Sequence, residues 1–197
     1  MRRLAALACL PLLLAGCSTP APAATPATVA PAASGPAATT QPGWLAGAGL
    51  AGLSATQVVE TLDRSTTPRP LAFKASIRPG EVQLEQGGQA VTLTLPSDRF
   101  YLSIAPYVTH THDCFHHSLA TCRGELASTP AHVTIIAASG QVLADADVTT
   151  YSNGFVGFWL PRDVTGTVRV TTGGKTGEVS FATGQDSPTC LTTLRLT

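Results

Sequence analysis

Short runs rich in β-branched and aromatic residues, cut by glycine turns about every eight to twelve residues, fill the chain from Leu71 to Leu196. That rhythm is too short for helices and too regular for disorder. Candidate strands are Leu71–Ile77, Glu81–Glu85 and Ala90–Leu95, with turns at Arg78-Pro79-Gly80 and Gly87-Gly88. Pro96-Ser97-Asp98 reads as a boundary. Beyond it come Phe100–Thr109, interrupted at Pro106, then His132–Ala138, Val142–Tyr151, Phe155–Leu160, Thr167–Thr171, Glu178–Ala182 and Cys190–Leu196. Asn153-Gly154 is the strongest hairpin signal, since both central residues of a type I′ turn need positive φ. The spacing predicts a mainly β protein, with an immunoglobulin-like β-sandwich over residues 98–197.

Residues 44–97 predict a small α+β domain in front of it. Trp44 to Leu53 is an apolar, glycine-rich arm without the Gly-Lys-Ser/Thr ending of a phosphate loop. It is expected to pack on its own domain or on a partner. Ser54-Ala-Thr-Gln57 is a capping box, opening a helix to about Asp63 with Val58, Val59 and Leu62 on one face. Pro68 and Pro70 close that region.

The N-terminal segment points to the compartment. Arg2 and Arg3 precede an apolar stretch, Leu4 to Leu14, too short to span a bilayer. It runs into Leu14-Ala15-Gly16-Cys17, which resembles the bacterial lipobox. Residues 1–17 are therefore expected to be a lipoprotein signal peptide ending at a lipidated Cys17, against the plainer reading of an ordinary signal peptide with a chance cysteine. One lipidated cysteine attaches a protein to a membrane without spanning it. Residues 18–43, nearly all Ala, Pro, Thr and Ser, are expected to form a disordered tether reaching roughly 80 Å at the polyproline rise. The 12 basic and 12 acidic side chains of the full chain become 10 and 12 without Arg2 and Arg3. No Lys/Arg run is present, which argues against nucleic acid as a partner.

The chemistry is concentrated between His110 and Cys122. Four of the five histidines, His110, His112, His116 and His117, lie there with Cys114 and Cys122. Cys190 follows 68 positions later. Three thiolates on one ion suit Cu(I), and nearby imidazoles suit Cu(II) or Zn(II). Zinc–thiolate bond lengths imply that such sulfurs lie within roughly 4 Å of one another. Two thiolates can also give up two electrons and form a disulfide, reducing two Cu(II) to Cu(I). The alternative is a structural Cys114–Cys122 disulfide in an adhesion or scaffolding lipoprotein domain without metal, with Cys190 left over. Asp113 is a candidate to orient a histidine ligand, and His132, inside a strand, reads as structural. Nothing marks a nucleophile elbow or oxyanion hole, so a conventional hydrolase is not indicated.

Three blocks carry a family resemblance. Phe100-Tyr-Leu-Ser-Ile-Ala-Pro-Tyr-Val-Thr-His-Thr-His-Asp-Cys-Phe-His-His-Ser-Leu-Ala-Thr-Cys-Arg-Gly-Glu-Leu126 closely resembles the CueP family of periplasmic copper-binding proteins. So do Asn153-Gly-Phe-Val-Gly-Phe-Trp-Leu-Pro-Arg162 and Pro188-Thr-Cys-Leu-Thr-Thr-Leu-Arg-Leu196. The likeness runs from about Leu53 to the C-terminus. It implies that Cys114, Cys122 and Cys190 are copper ligands. It further implies a role in copper resistance, reduction of Cu(II), transfer of copper to a periplasmic superoxide dismutase, and a homodimer formed through the N-terminal part. The expected lipid anchor and tether depart from the family's soluble form.

Overall fold

The computed structural model describes residues 41–197. The expected signal segment, Cys17 and nearly all of the tether lie outside the described residues. Among the described residues no helix is long and apolar enough to cross a membrane.

The apolar arm folds onto its own core. Trp44–Gly47 is a single helical turn, α1, and Leu45 and Leu50 are buried. The Ser54 capping box forms as its residues dictate. The Ser54 hydroxyl accepts from Gln57 N, and the Gln57 side chain accepts from Ser54 N at 2.9 Å. Helix α2, Ala55–Asp63, buries Val58, Val59 and Leu62. Strands β1 (Lys74–Ile77), β2 (Glu81–Gln86) and β3 (Gln89–Thr94) form an antiparallel meander. Gly87 and Gly88 turn β2 into β3 with φ of 58° and 78°, which side chains disfavour.

The first core does not stop at residue 97. It takes in Tyr101, Leu119 and Ala120, with Trp159 packed against it. The Trp159 indole donates to Glu60 on α2 at 3.1 Å.

Two further sheets complete the mainly β architecture. One has β4 (Arg99–Ile104) between β10 (Cys190–Leu191), its parallel neighbour, and β7 (Val156–Pro161), its antiparallel one. The other runs β6 (Val142–Thr149), β5 (Pro130–Ala137), β8 (Thr165–Thr172), β9 (Lys175–Ala182). Phe100, Leu102 and Leu160 of the first and Val133, Ile135, Val168 and Val170 of the second share one buried cluster.

Asn153-Gly154 turns the chain without making the expected hairpin. Strand β6 pairs with β5 while β7 pairs with β4, so the turn carries the chain from one sheet to another. Gly154 has φ of 81°, and Asn153 is not in the left-handed region, so the turn is not type I′. The physical reason is that Asn153 is buried and its amide is engaged on both sides. Its Nδ2 donates to Asp63 Oδ1 at 2.8 Å and its Oδ1 accepts from Phe155 N at 2.9 Å. The turn packs against Gly124, whose N–H donates to Asn153 O at 2.6 Å. A Cβ on Gly124 or Gly154 would strike the other's backbone.

Candidate metal centre

The His/Cys segment is an irregular loop held at both flanks. Residues without a regular period must have their backbone groups satisfied by neighbours, and here β1 and β10 supply the partners. His117 O accepts from Ile77 N at 2.9 Å, and Phe115 O from Thr189 N and Cys190 N at 2.9 and 3.2 Å. The Thr189 hydroxyl accepts from His117 N at 2.9 Å and donates to Ile77 O at 2.8 Å. A turn with Cys122 N on Ser118 O, 3.1 Å, folds Cys122 back beneath Cys114. The pairing of Cys190 with Ser103 on β4 sets the third sulfur in place.

Cys114 and Cys190 form a disulfide, with Cα atoms 5.7 Å apart. Cys122 is a free, buried thiol whose Sγ lies 3.6 Å from that of Cys114. The Cys114–Cys122 disulfide with Cys190 left over is thus overturned: the parallel contact of β10 with β4 gives Cys190 the bond, and Cys122 is the third sulfur. His117 Nδ1 lies 3.7 Å from Cys190 Sγ. One donor atom from each of Cys114, His117, Cys122 and Cys190 falls within a 4.8 Å span. Among the described residues this is the one such group of three or more His, Cys, Asp or Glu side chains. Phe155, fully buried, and Ala105 pack against the sulfurs, and the Phe155 ring lies 4.5 Å from that of His117.

The other histidines lie elsewhere. His110 is exposed, its Nδ1 3.4 Å from Glu125. The Glu125 carboxyl is held down to about 2 by the Thr109 hydroxyl, then by the N–H groups of Val108 and Thr109. His112 is half-buried beside Phe155, with Nε2 shielded and unpaired. His116 accepts from Arg78 at 3.3 Å, and its pKa is lowered by burial and by that guanidinium. His132 stands on the surface between Asp145, 2.8 Å, and Asp147, 2.9 Å.

The residue that sequence reasoning missed is Asp63. Asp113, the expected orienter, is exposed, and the carboxylate on the buried histidine comes from the last turn of α2. Asp63 Oδ1 lies 3.0 Å from His117 Nε2, both side chains wholly buried. Asp63 also accepts from Tyr101 Oη at 2.7 Å, Asn153 Nδ2 at 2.8 Å and Ser103 Oγ at 3.4 Å. Burial opposes charge on both partners. On His117 the Asp63 carboxylate, with Cys122 adding, outweighs burial and lifts the pKa to about 9. On Asp63 the same pairing, with the Tyr101 and Asn153 bonds, outweighs burial and lowers the pKa. The pair is ionised at neutral pH. A signal did exist: an acid on the apolar face of α2, four residues after Val59, at a helix end whose dipole repels negative charge.

Three sulfurs and one imidazole nitrogen, buried where two sheets and a loop meet, fit a mainly β protein that holds a thiophilic metal ion. No curated protein matches the chain. The model of the family CueP, periplasmic copper-binding protein CueP, matches residues 57–195. The crystal structure of S.CueP is 44% identical, with a TM-score of 0.77, over 81% of this chain and 99% of that one. The chain belongs to the CueP family of periplasmic copper-binding proteins.

Proposed function

We propose that this chain is a copper-sequestering protein of the cell envelope that holds Cu(I) through Cys114, Cys122 and Cys190, with His117 as a nitrogen donor. One observation carries the reading: three sulfurs and an imidazole nitrogen converge within 4.8 Å in a buried site. A Cu(I)–thiolate triangle needs sulfurs roughly 4 Å apart by analogy with zinc thiolates, and the Cys114–Cys122 spacing of 3.6 Å is already close. A dithiol reductant opens the Cys114–Cys190 disulfide, giving up two electrons and becoming a disulfide itself, and this completes the ligand set. In the opposite direction, two of the reduced thiolates pass one electron each to two Cu(II) ions, yielding two Cu(I) and a disulfide. The soft donors favour Cu(I) over zinc.

Support for the wider reading comes from the family. Copper resistance, delivery of copper to a periplasmic cuproenzyme such as a superoxide dismutase, and a homodimer through residues 44–97 are part of the proposal. So is membrane attachment through a lipid on Cys17, which rests on the lipobox. The core shared by the β4 and β5 sheets supports an immunoglobulin-like sandwich for the C-terminal part.

The deciding experiment is anaerobic competition of the reduced, tag-free protein against a Cu(I) chelator. Wild type should retain Cu(I) in preference to zinc. Cys190→Ser should weaken binding by more than the about 10- to 100-fold typical of losing an outer partner of a ligand. Copper surrendered entirely to the chelator, with thiols shown free, or unchanged affinity in Cys190→Ser, refutes the proposal.

A further inference from the structure

We infer that Asp63 is the positioning residue of the metal centre: it fixes His117 so that Nδ1 alone faces the three sulfurs, and copper there takes three sulfurs and one nitrogen. The inference rests on the copper reading above and adds a residue outside the His/Cys loop.

The argument begins with valence. An ionised carboxylate accepts hydrogen bonds and donates none. Asp63 Oδ1 at 3.0 Å from Nε2 therefore requires the proton on Nε2. Nδ1, the other ring nitrogen, lies 3.7 Å from Cys190 Sγ and is the atom that binds metal, its proton being released to solvent as the metal takes its place. Metal-bound histidines usually give their second ring N–H to such a carboxylate, which fixes tautomer and ring plane and raises the basicity of the bound nitrogen.

Asp63 has little freedom to do otherwise. Tyr101 and Ser103 on β4 hold Oδ2, and Asn153 shares Oδ1 with His117. Its own carbonyl receives the Arg69 guanidinium at 3.5 Å, beside Leu62 O at 3.0 Å. Phe155 packs against the imidazole with ring centroids 4.5 Å apart, and its N–H is tied to the same Asn153. The ring is thus held by a carboxylate with three further hydrogen bonds and packed against a buried aromatic ring. Helix α2 belongs to the first core, so this carboxylate ties residues 44–97 to the imidazole itself, as Ile77 ties them to the loop backbone.

The test is Cu(I) loading of the full reduced chain, read by X-ray absorption for sulfur and nitrogen donors and by chelator competition for affinity. Wild type should show three sulfurs and one nitrogen. Asp63→Asn should keep the three sulfurs, lose or lengthen the nitrogen bond, and weaken binding by about 10- to 100-fold. In a His117→Ala background the same change should add almost nothing, because Asp63 acts through His117. Tyr101→Phe, which also removes a bond to Asp63 but leaves the His117 contact, should keep the nitrogen. Where Asp63→Asn does not fold, Asp63→Glu, with the charge kept and the carboxylate displaced by one methylene, should show the same nitrogen loss. Asp63→Asn or Asp63→Glu with the nitrogen and the affinity intact overturns the inference. So does an affinity loss that adds fully to that of His117→Ala. A wild type that holds no Cu(I), or fewer than three sulfurs, overturns the copper reading itself, and the positioning role with it.

Discussion

The buried His117–Asp63 pair makes the stability of the metal-free, oxidised protein depend on alkaline pH. His117 has an ordinary pKa of 6.5, which the fold raises to about 9. A base with a raised folded-state pKa binds its proton more tightly when folded. Its stabilising contribution is complete below 6.5, declines as the pH rises from there, and is gone above about 9. At about 1.4 kcal/mol per pH unit, that interval is worth about 3 kcal/mol. The loss is large against the 5–15 kcal/mol or so that holds a typical domain together. Urea denaturation at pH 6, 7, 8 and 9, with the disulfide intact, should show the midpoint falling steadily. His117→Gln should be less stable at pH 6 and should lack this decline. His132, raised by Asp147 and Asp145, is present in both proteins and cancels in the difference. A wild-type stability flat from pH 6.5 to 9, or an equally steep decline in His117→Gln, would refute the reasoning.

Three other outcomes are expected. Asn153→Ala removes a donor from the buried Asp63 carboxylate and the acceptor for Phe155 N, so it should cost about 2–3 kcal/mol in urea denaturation; a loss under about 1 kcal/mol would fit a solvated hairpin residue instead. Reduced protein mixed with Cu(II) should generate Cu(I), read by a specific dye, while thiols are consumed. A Cys114→Ser, Cys122→Ser double variant keeps one thiol of the three, and undiminished dye signal there would disprove the proposed donors. Cys17→Ser should release the protein from the membrane fraction or leave an unprocessed precursor, and unchanged partition with unchanged processing would exclude lipidation.

Much of the local structure was legible because it obeys short-range rules. The Ser54–Gln57 box caps α2, and Gly87-Gly88 turns a hairpin at positive φ. Such features depend on residues a few positions apart, whose backbone chemistry is the same in any fold. Asn153-Gly154 obeys the same rule only halfway: the turn is local, but what its strands pair with, and what the asparagine amide bonds to, is not.

By itself the sequence determined a mainly β chain, a capped helix, a turn at Asn153-Gly154 and the gathering of four histidines and two cysteines into one segment. Only the tertiary structure decided which of these act together. It selected His117 and left His110, His112 and His116 outside the cluster. It bonded Cys114 to Cys190, 76 positions away. It also set a carboxylate from α2 against the histidine, 54 positions earlier in the chain. Periodicity and turn chemistry are properties of neighbours along the backbone. Ligand geometry is a property of neighbours in space, and here strand pairing and a shared core bring α2, the His/Cys loop, β4 and β10 to one buried point.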